Sequence, residues 1–399
     1  MNRRLSMALA AYGAWSQAIL LFLFDPMKRW ITGTLVTGAS IGDVRVLGLS
    51  LDGFAVRGLD HVEGWLPQLV FIVSSGLLTY GVFRGAPGLK PHPRTVLALA
   101  GAVLLAAGVA TLVRPALAPG TGRALPTYGE WLGSAQLGAE PAVAAQFALC
   151  TLWLPVTIWF LVWRCRSRPS VRAFFGLPEG AGASAEEPVP LLAAARERRD
   201  LVYAGLIPPV LLAVAGGQFL RHTDVRPSGV PDSITFDPHR WAPYSPPALV
   251  EEWSGVLYPA LRLRPLDTER AAGWIATLAV CVVFLVATAV ALRSVARRAT
   301  AVRGSATALL RLFMKGWYAM LLAAVAAALV DGWLLQWFAP RRADSASPLW
   351  VAVGDAVRFG TAWGWATGLA CLGAVLLTRR RGARAAPGAD VVEEQLNDA

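Results

Sequence analysis

MLLAAVAAALVDGWLL, residues Met320 to Leu335, decides the fold. Nothing from Met320 to Val330 is polar. Asp331 then appears, and apolar residues resume at Trp333. A helix on the surface of a soluble protein carries a polar face, and this one has none. The apolar stretch reaches back to Met314 and on to Phe338. That is enough to cross a bilayer, which takes about 20 residues for roughly 30 Å of hydrocarbon.

Runs of this kind recur along the chain, at 6–24, 66–83, 95–113, 143–163, 201–220, 272–292, 314–338 and 349–378. The sequence therefore predicts an all-α integral membrane protein with about eight transmembrane helices and ordered extracytoplasmic loops. Composition agrees. Of 399 residues, 55% are hydrophobic and only 16% charged, and mean hydropathy is +0.49. The first run has the basic start of a signal peptide, Arg3 and Arg4, and it carries Gln17. Its apolar stretch continues to Phe24 without a small-residue cleavage site, so it reads as an uncleaved span.

The net charge of +11 raises nucleic acid as a partner. The distribution of the charge points elsewhere. Lysine occurs only at positions 28, 90 and 315, while arginine, alanine and glycine dominate, as in a high-GC bacterial genome. Arginine abundance alone is therefore uninformative, but its position is not. Arg3 and Arg4, Arg84 with Lys90 and Arg94, the run from Arg164 to Arg172, Arg196 to Arg199, Arg293 to Arg311 and Arg379 to Arg384 all crowd against span ends. They occupy alternate connections. The positive-inside rule places those connections in the cytoplasm. Both termini are then cytoplasmic, in a multi-pass protein of the cytoplasmic membrane. The expected partners are membrane lipids, anionic inner-leaflet lipids at the arginine clusters, and no nucleic acid.

The loops divide accordingly. Segments 25–65, 114–142 and 221–271 are expected extracytoplasmic loops, the first and third able to form a small cap, with a re-entrant course as the alternative for 25–65. Within the third outer segment, residues 248–260 place Leu249, Trp253, Val256 and Leu257 at helical spacing. Trp65, Trp241, Trp333, Trp337 and Trp350 suit an outer aromatic belt. On the inner side, 176–190 reads as a tether, 294–311 as an interfacial basic helix, and 379–399 as a disordered tail.

Few residues carry chemistry. Asp331 lies one to two turns inside the outer end of its span. Asp355 and Arg358 are three apart in the first turns of the last span and share a face. A short loop joins these two spans, which brings the three side chains to similar depth. Ionisable groups at membrane depth are costly and are paired, lumen-facing or functional. This trio suits cation binding, proton relay or head-group anchoring. The favoured reading is an ion pair that locks two helices, because charges so near the interface cost less. Gly360, Gly364 and Gly368 form a small-residue stripe that permits close helix approach, to a neighbour in the chain or to a partner membrane protein. Pro155, Pro208 and Pro209 remove backbone donors inside spans and are expected to bend them.

His222 with Asp224, or Asp237 with His239, offers acid–base pairs in the outer loop, though solvated loop residues are the simpler reading. The sequence has no HExxH or CxxC motif, so no metal or cofactor is expected. The cysteines, Cys150, Cys165, Cys281 and Cys371, lie in or beside apolar runs and imply no disulfide framework. Three functional classes follow, in order. The first is a non-catalytic subunit or scaffold of a membrane complex. The second is a transporter or permease without its own ATPase. The third is an outer-leaflet enzyme acting on a lipid-linked substrate.

Overall fold

The computed structural model describes residues 1–35, 62–86, 88–117, 140–175, 189–190, 192, 194–222, 261, 271–298, 300–301, 306–338 and 348–385. Ten helices are described: α1 Arg3–Leu35, α2 Val62–Arg84, α3 Pro93–Leu117, α4 Glu140–Thr151, α5 Trp153–Arg164, α6 Pro169–Phe175, α7 Ala195–His222, α8 Ala271–Arg297, α9 Ala306–Phe338 and α10 Pro348–Ala385. Two short strands, β1 Val189–Pro190 and β2 Thr300–Ala301, pair antiparallel.

Among the described residues, seven stretches are long and apolar enough to cross a membrane. They are Arg3–Leu23, Trp65–Arg84, Pro93–Val113, Val143–Arg164, Trp274–Arg297, Ala308–Leu334 and Ala352–Thr378. Each coincides with an expected span. The remaining expected span, 201–220, lies within α7, which packs against α8 and α10. The protein is an all-α, multi-pass membrane protein.

The arginine-bearing connections gather at one end of the bundle. The Met1 amine donates to the Ala86 carbonyl at 2.9 Å, and Arg84 donates to the Met1 carbonyl at 2.9 Å. The Asn2 amide donates to the Phe175 carbonyl at 3.2 Å. The β1–β2 pair ties the connection before α7 to the connection before α9. Because α9 and α10 run antiparallel, the last turns of α10 also emerge at this basic end.

Three loop boundaries differ from expectation. Residues 25–35, expected in the first loop, continue α1 to Leu35. Met27, Trp30, Ile31 and Leu35 keep apolar residues at helical spacing there. Residues 379–385, expected in the tail, continue α10, and their Arg and Ala are good helix formers. Residues 294–311 form no separate interfacial helix. α8 runs to Arg297, Thr300–Ala301 pairs as β2, and α9 starts at Ala306. The expected cap segments 36–61 and 223–260, and the tail from 386, lie outside the described residues. At Leu261 the third expected outer segment meets the bundle, where its N–H donates to the Ala213 carbonyl of α7 at 2.8 Å.

The core centres on α9 and α10. Ala323, Ala324, Ala327 and Ala328 of α9 cluster with Ala352, Val353, Ala356 and Val357 of α10. Lipid tails are as apolar as these side chains, so close van der Waals packing holds such helices together. Buried hydroxyls bond back to their own helix. Thr151 donates to the Phe147 carbonyl at 2.8 Å and Thr288 to the Phe284 carbonyl at 2.8 Å.

Candidate functional site: the α9–α10 pair and its buried charges

The glycine stripe of α10 is occupied within the chain. A Cβ on Gly368 would lie 2.6 Å from the Phe313 carbonyl oxygen, and one on Gly360 would lie 2.6 Å from Leu321 Cδ1 and 2.7 Å from Leu321 Cα. Gly364 is pressed against the Trp317 indole. Each step of four on α10 thus meets a step of four, in the opposite sense, on α9. Large residues at 313, 317 and 321 fill the track left by small ones. Gly316 of α9 returns the arrangement, since its Cβ would lie 2.9 Å from Gly368 Cα. The Trp317 indole N–H donates to the Gly360 carbonyl at 3.0 Å, and the Thr367 hydroxyl donates to Met320 Sδ at 3.1 Å. Any partner helix approaching α10 meets its exposed Trp365, Leu369 and Leu376 instead.

At the far end, a Cβ on Gly332 would lie 2.6 Å from Leu349 Cα, which continues the same register. That register sets Asp331 level with position 350 of α10. Asp355 then lies about 7 Å, and Arg358 about 12 Å, further toward the basic end, at 1.5 Å rise per residue. The similar depth expected from a short connection is therefore corrected. The connection fixes which helix ends are neighbours, but the packing register fixes depth.

Arg358 is 2% exposed and Asp331 5% exposed, while Asp355 is half-buried. Asp355 and Arg358 interact electrostatically across one helical turn. At 3.6 residues per turn, Arg358 stands roughly 160° round α10 from Gly360, on the side turned away from α9. On that side, Thr361 packs against Gly108 of α3, where a Cβ would lie 2.8 Å from Thr361 Cβ. Phe359, on another side, meets Phe284 of α8 edge-on at 5.8 Å. α10 thus touches α3, α4, α7, α8 and α9, and Arg358 is among the largest fully buried side chains.

The prolines divide by context. Between α4 and α5 the span is interrupted at Leu152, three residues before Pro155, whose missing N–H leaves the Thr151 carbonyl without its usual donor. Gly13 of α1 packs on Pro155, where a Cβ would lie 3.4 Å from its ring. Gln17 of α1 donates to the Thr151 hydroxyl at 3.1 Å beside the break. By contrast, α7 runs unbroken through Pro208 and Pro209. One turn before Pro209, Gly205 sits where a Cβ would lie 2.8 Å from Leu292 of α8 and 3.0 Å from Cys371 of α10.

Asp237 and His239 lie outside the described residues. Among the described residues, no group of three His, Cys, Asp or Glu side chains is placed to hold a metal. No protein-family model, curated protein or solved structure matches this chain.

Sequence reasoning did not anticipate Gly108 against Thr361, the Trp317 hydrogen bond or the Gly205 junction. One signal was available: Phe313, Trp317 and Leu321 form a large-residue stripe with the same period as the glycines. Nothing in one sequence pairs Gly108 with Thr361.

Proposed function

We propose that this chain is a non-catalytic integral membrane subunit acting as a rigid scaffold in a membrane complex. The interlock of α9 and α10 supports this reading. Glycines and large residues mesh at every fourth position, and an indole N–H of α9 bonds to the backbone of α10. Such a pair resists sliding, because each glycine contact closes if the register shifts. The arginine-bearing end faces the cytoplasm under the positive-inside rule, with both termini inside, in the cytoplasmic membrane. Trp365, Leu369 and Leu376 are the face of α10 left for a partner helix.

The test is photo-crosslinking from Leu369 in native membranes, followed by purification in mild detergent and mass spectrometry. One stoichiometric crosslinked membrane protein is expected. Crosslinks to lipid alone, with the chain purifying without a protein partner, would overturn the reading. Orientation is tested separately, by labelling single cysteines introduced at Arg166 and Gly120 with an impermeant maleimide in intact cells. Only the Gly120 position should label.

A second reading, a permease without its own ATPase, is favoured by the descent of ionisable groups from Asp331 to Arg358. Asp331→Asn would then abolish uptake of the substrate while leaving the protein folded. Unchanged uptake would remove this group from the reading.

A further inference from the structure

Five cations from three helices converge at the basic end. Gly101 of α3 packs against Tyr318 of α9, where a Cβ would lie 3.4 Å from Tyr318 Cβ. Both helices start at this end, so they run parallel, and counting back one step of seven on each sets Arg94 level with Arg311. Arg94 and Arg297 stand within electrostatic range of Arg298, at the end of α8. Arg311 and Arg298 stand within range of Lys315. All five side chains are exposed, although neighbouring protein partly desolvates Lys315, and among the described residues no acidic group is among the charges that act on Arg298 or Lys315.

Lys315 is the informative member. It lies inside the apolar span Ala308–Leu334, one turn beyond Arg311 on the same face. A lysine there extends its ammonium toward the water while its stem stays in the apolar layer. Exposed apolar side chains continue beneath the cations on the same helices: Leu97 one turn beyond Arg94, and Val290 two turns before Arg297. The surface is therefore cationic at head-group level and apolar below it. A free phosphate would use only the upper part. An amphiphile uses both.

We propose that the basic ends of α3, α8 and α9 bind the head group of an anionic phospholipid through Arg94, Arg298, Arg311 and Lys315. The proposal rests on the inward orientation inferred above only for the leaflet that supplies the lipid. The maleimide labelling tests that orientation independently of binding.

The experiment is native mass spectrometry of the full chain in detergent, titrated with phosphatidylglycerol, with phosphatidylcholine, and with inorganic phosphate. Wild type should retain phosphatidylglycerol over phosphatidylcholine and show no competition from inorganic phosphate. Arg298→Gln with Lys315→Gln should weaken phosphatidylglycerol binding by about thirtyfold, from the loss of two charges near the lipid surface. Arg166→Gln with Arg168→Gln removes as much charge elsewhere at this end and should leave binding within about twofold of wild type, since surface attraction falls off within a Debye length. Lys315→Arg should bind like wild type and guards against misfolding as the cause. Equal loss in both Gln pairs would mean diffuse attraction and overturn the site. So would equal retention of phosphatidylcholine, or displacement by inorganic phosphate.

Discussion

Gly360→Ala tests whether the α9–α10 interlock holds the bundle together. The added Cβ would lie 2.6 Å from Leu321 Cδ1 and 2.7 Å from Leu321 Cα. Carbon atoms prefer about 3.5–4.0 Å, so the helices must part by roughly 1 Å. The Leu321 backbone cannot rotate away as a side-chain tip can. Overpacking of this kind costs about 1–3 kcal/mol. The Trp317 bond to the Gly360 carbonyl stretches as the helices separate, losing about 0.5–1.5 kcal/mol. Alanine's better helix propensity returns about 0.8–1 kcal/mol. The net expectation is destabilisation by about 1–3 kcal/mol, the two larger effects outweighing the third. Gly373, on the same helix, has nothing within 4 Å of an added Cβ. There only the propensity gain operates, so Gly373→Ala should be neutral or stabilising by up to about 1 kcal/mol. Steric trapping of the purified protein in bicelles measures both. If Gly360→Ala proves as stable as Gly373→Ala, the register described for α9 and α10 is wrong.

Three further predictions use the same measurement. Gly108→Ala should destabilise by about 1–3 kcal/mol through overpacking against Thr361, and adding Thr361→Ala should recover most of it; independent, additive losses would refute that contact. Arg358→Met should cost about 3 kcal/mol by leaving Asp355 without its opposite charge, and the double change with Asp355→Leu should be less destabilised than Arg358→Met alone. Trp317→Phe keeps the ring but removes the donor to Gly360, so a loss of about 1 kcal/mol is expected; no change would mean that the hydrogen bond contributes nothing net.

The spans were legible because bilayer thickness imposes one length on every crossing element. Where composition stayed helical past that length, at 25–35 and 379–385, expectation stopped short of α1 and α10, since hydropathy marks the membrane and not the helix. The glycine stripe at 360, 364 and 368 announced a close contact but not its partner. A small-residue track is equally open to a helix of the same chain and to a foreign one. The partner became readable only with the matching large stripe on α9. Asp331, Asp355 and Arg358 were identifiable as costly groups, but their depth depended on a register that no local pattern encodes.

That register bears on function. If the three groups stood level, they would form a compact cluster near the far end, where water is close and the cost of charge is small. Staggered by about 7 and 12 Å along the axis, they extend from near the surface toward the middle of the bundle. Charge becomes costlier with depth, and Arg358, the deepest of the three, is fully enclosed. A surface ion pair would not need α3 and the aromatic contact of Phe359 with Phe284 packed about its helix. A scaffold that fixes α10 in register also fixes that guanidinium at one depth. Because Arg358 stands on the side of α10 turned away from α9, Gly360→Ala and Arg358→Met should lower stability additively in a double-mutant cycle, and a coupling of about 0.5 kcal/mol or more would mean that the arginine depends on the α9 interface.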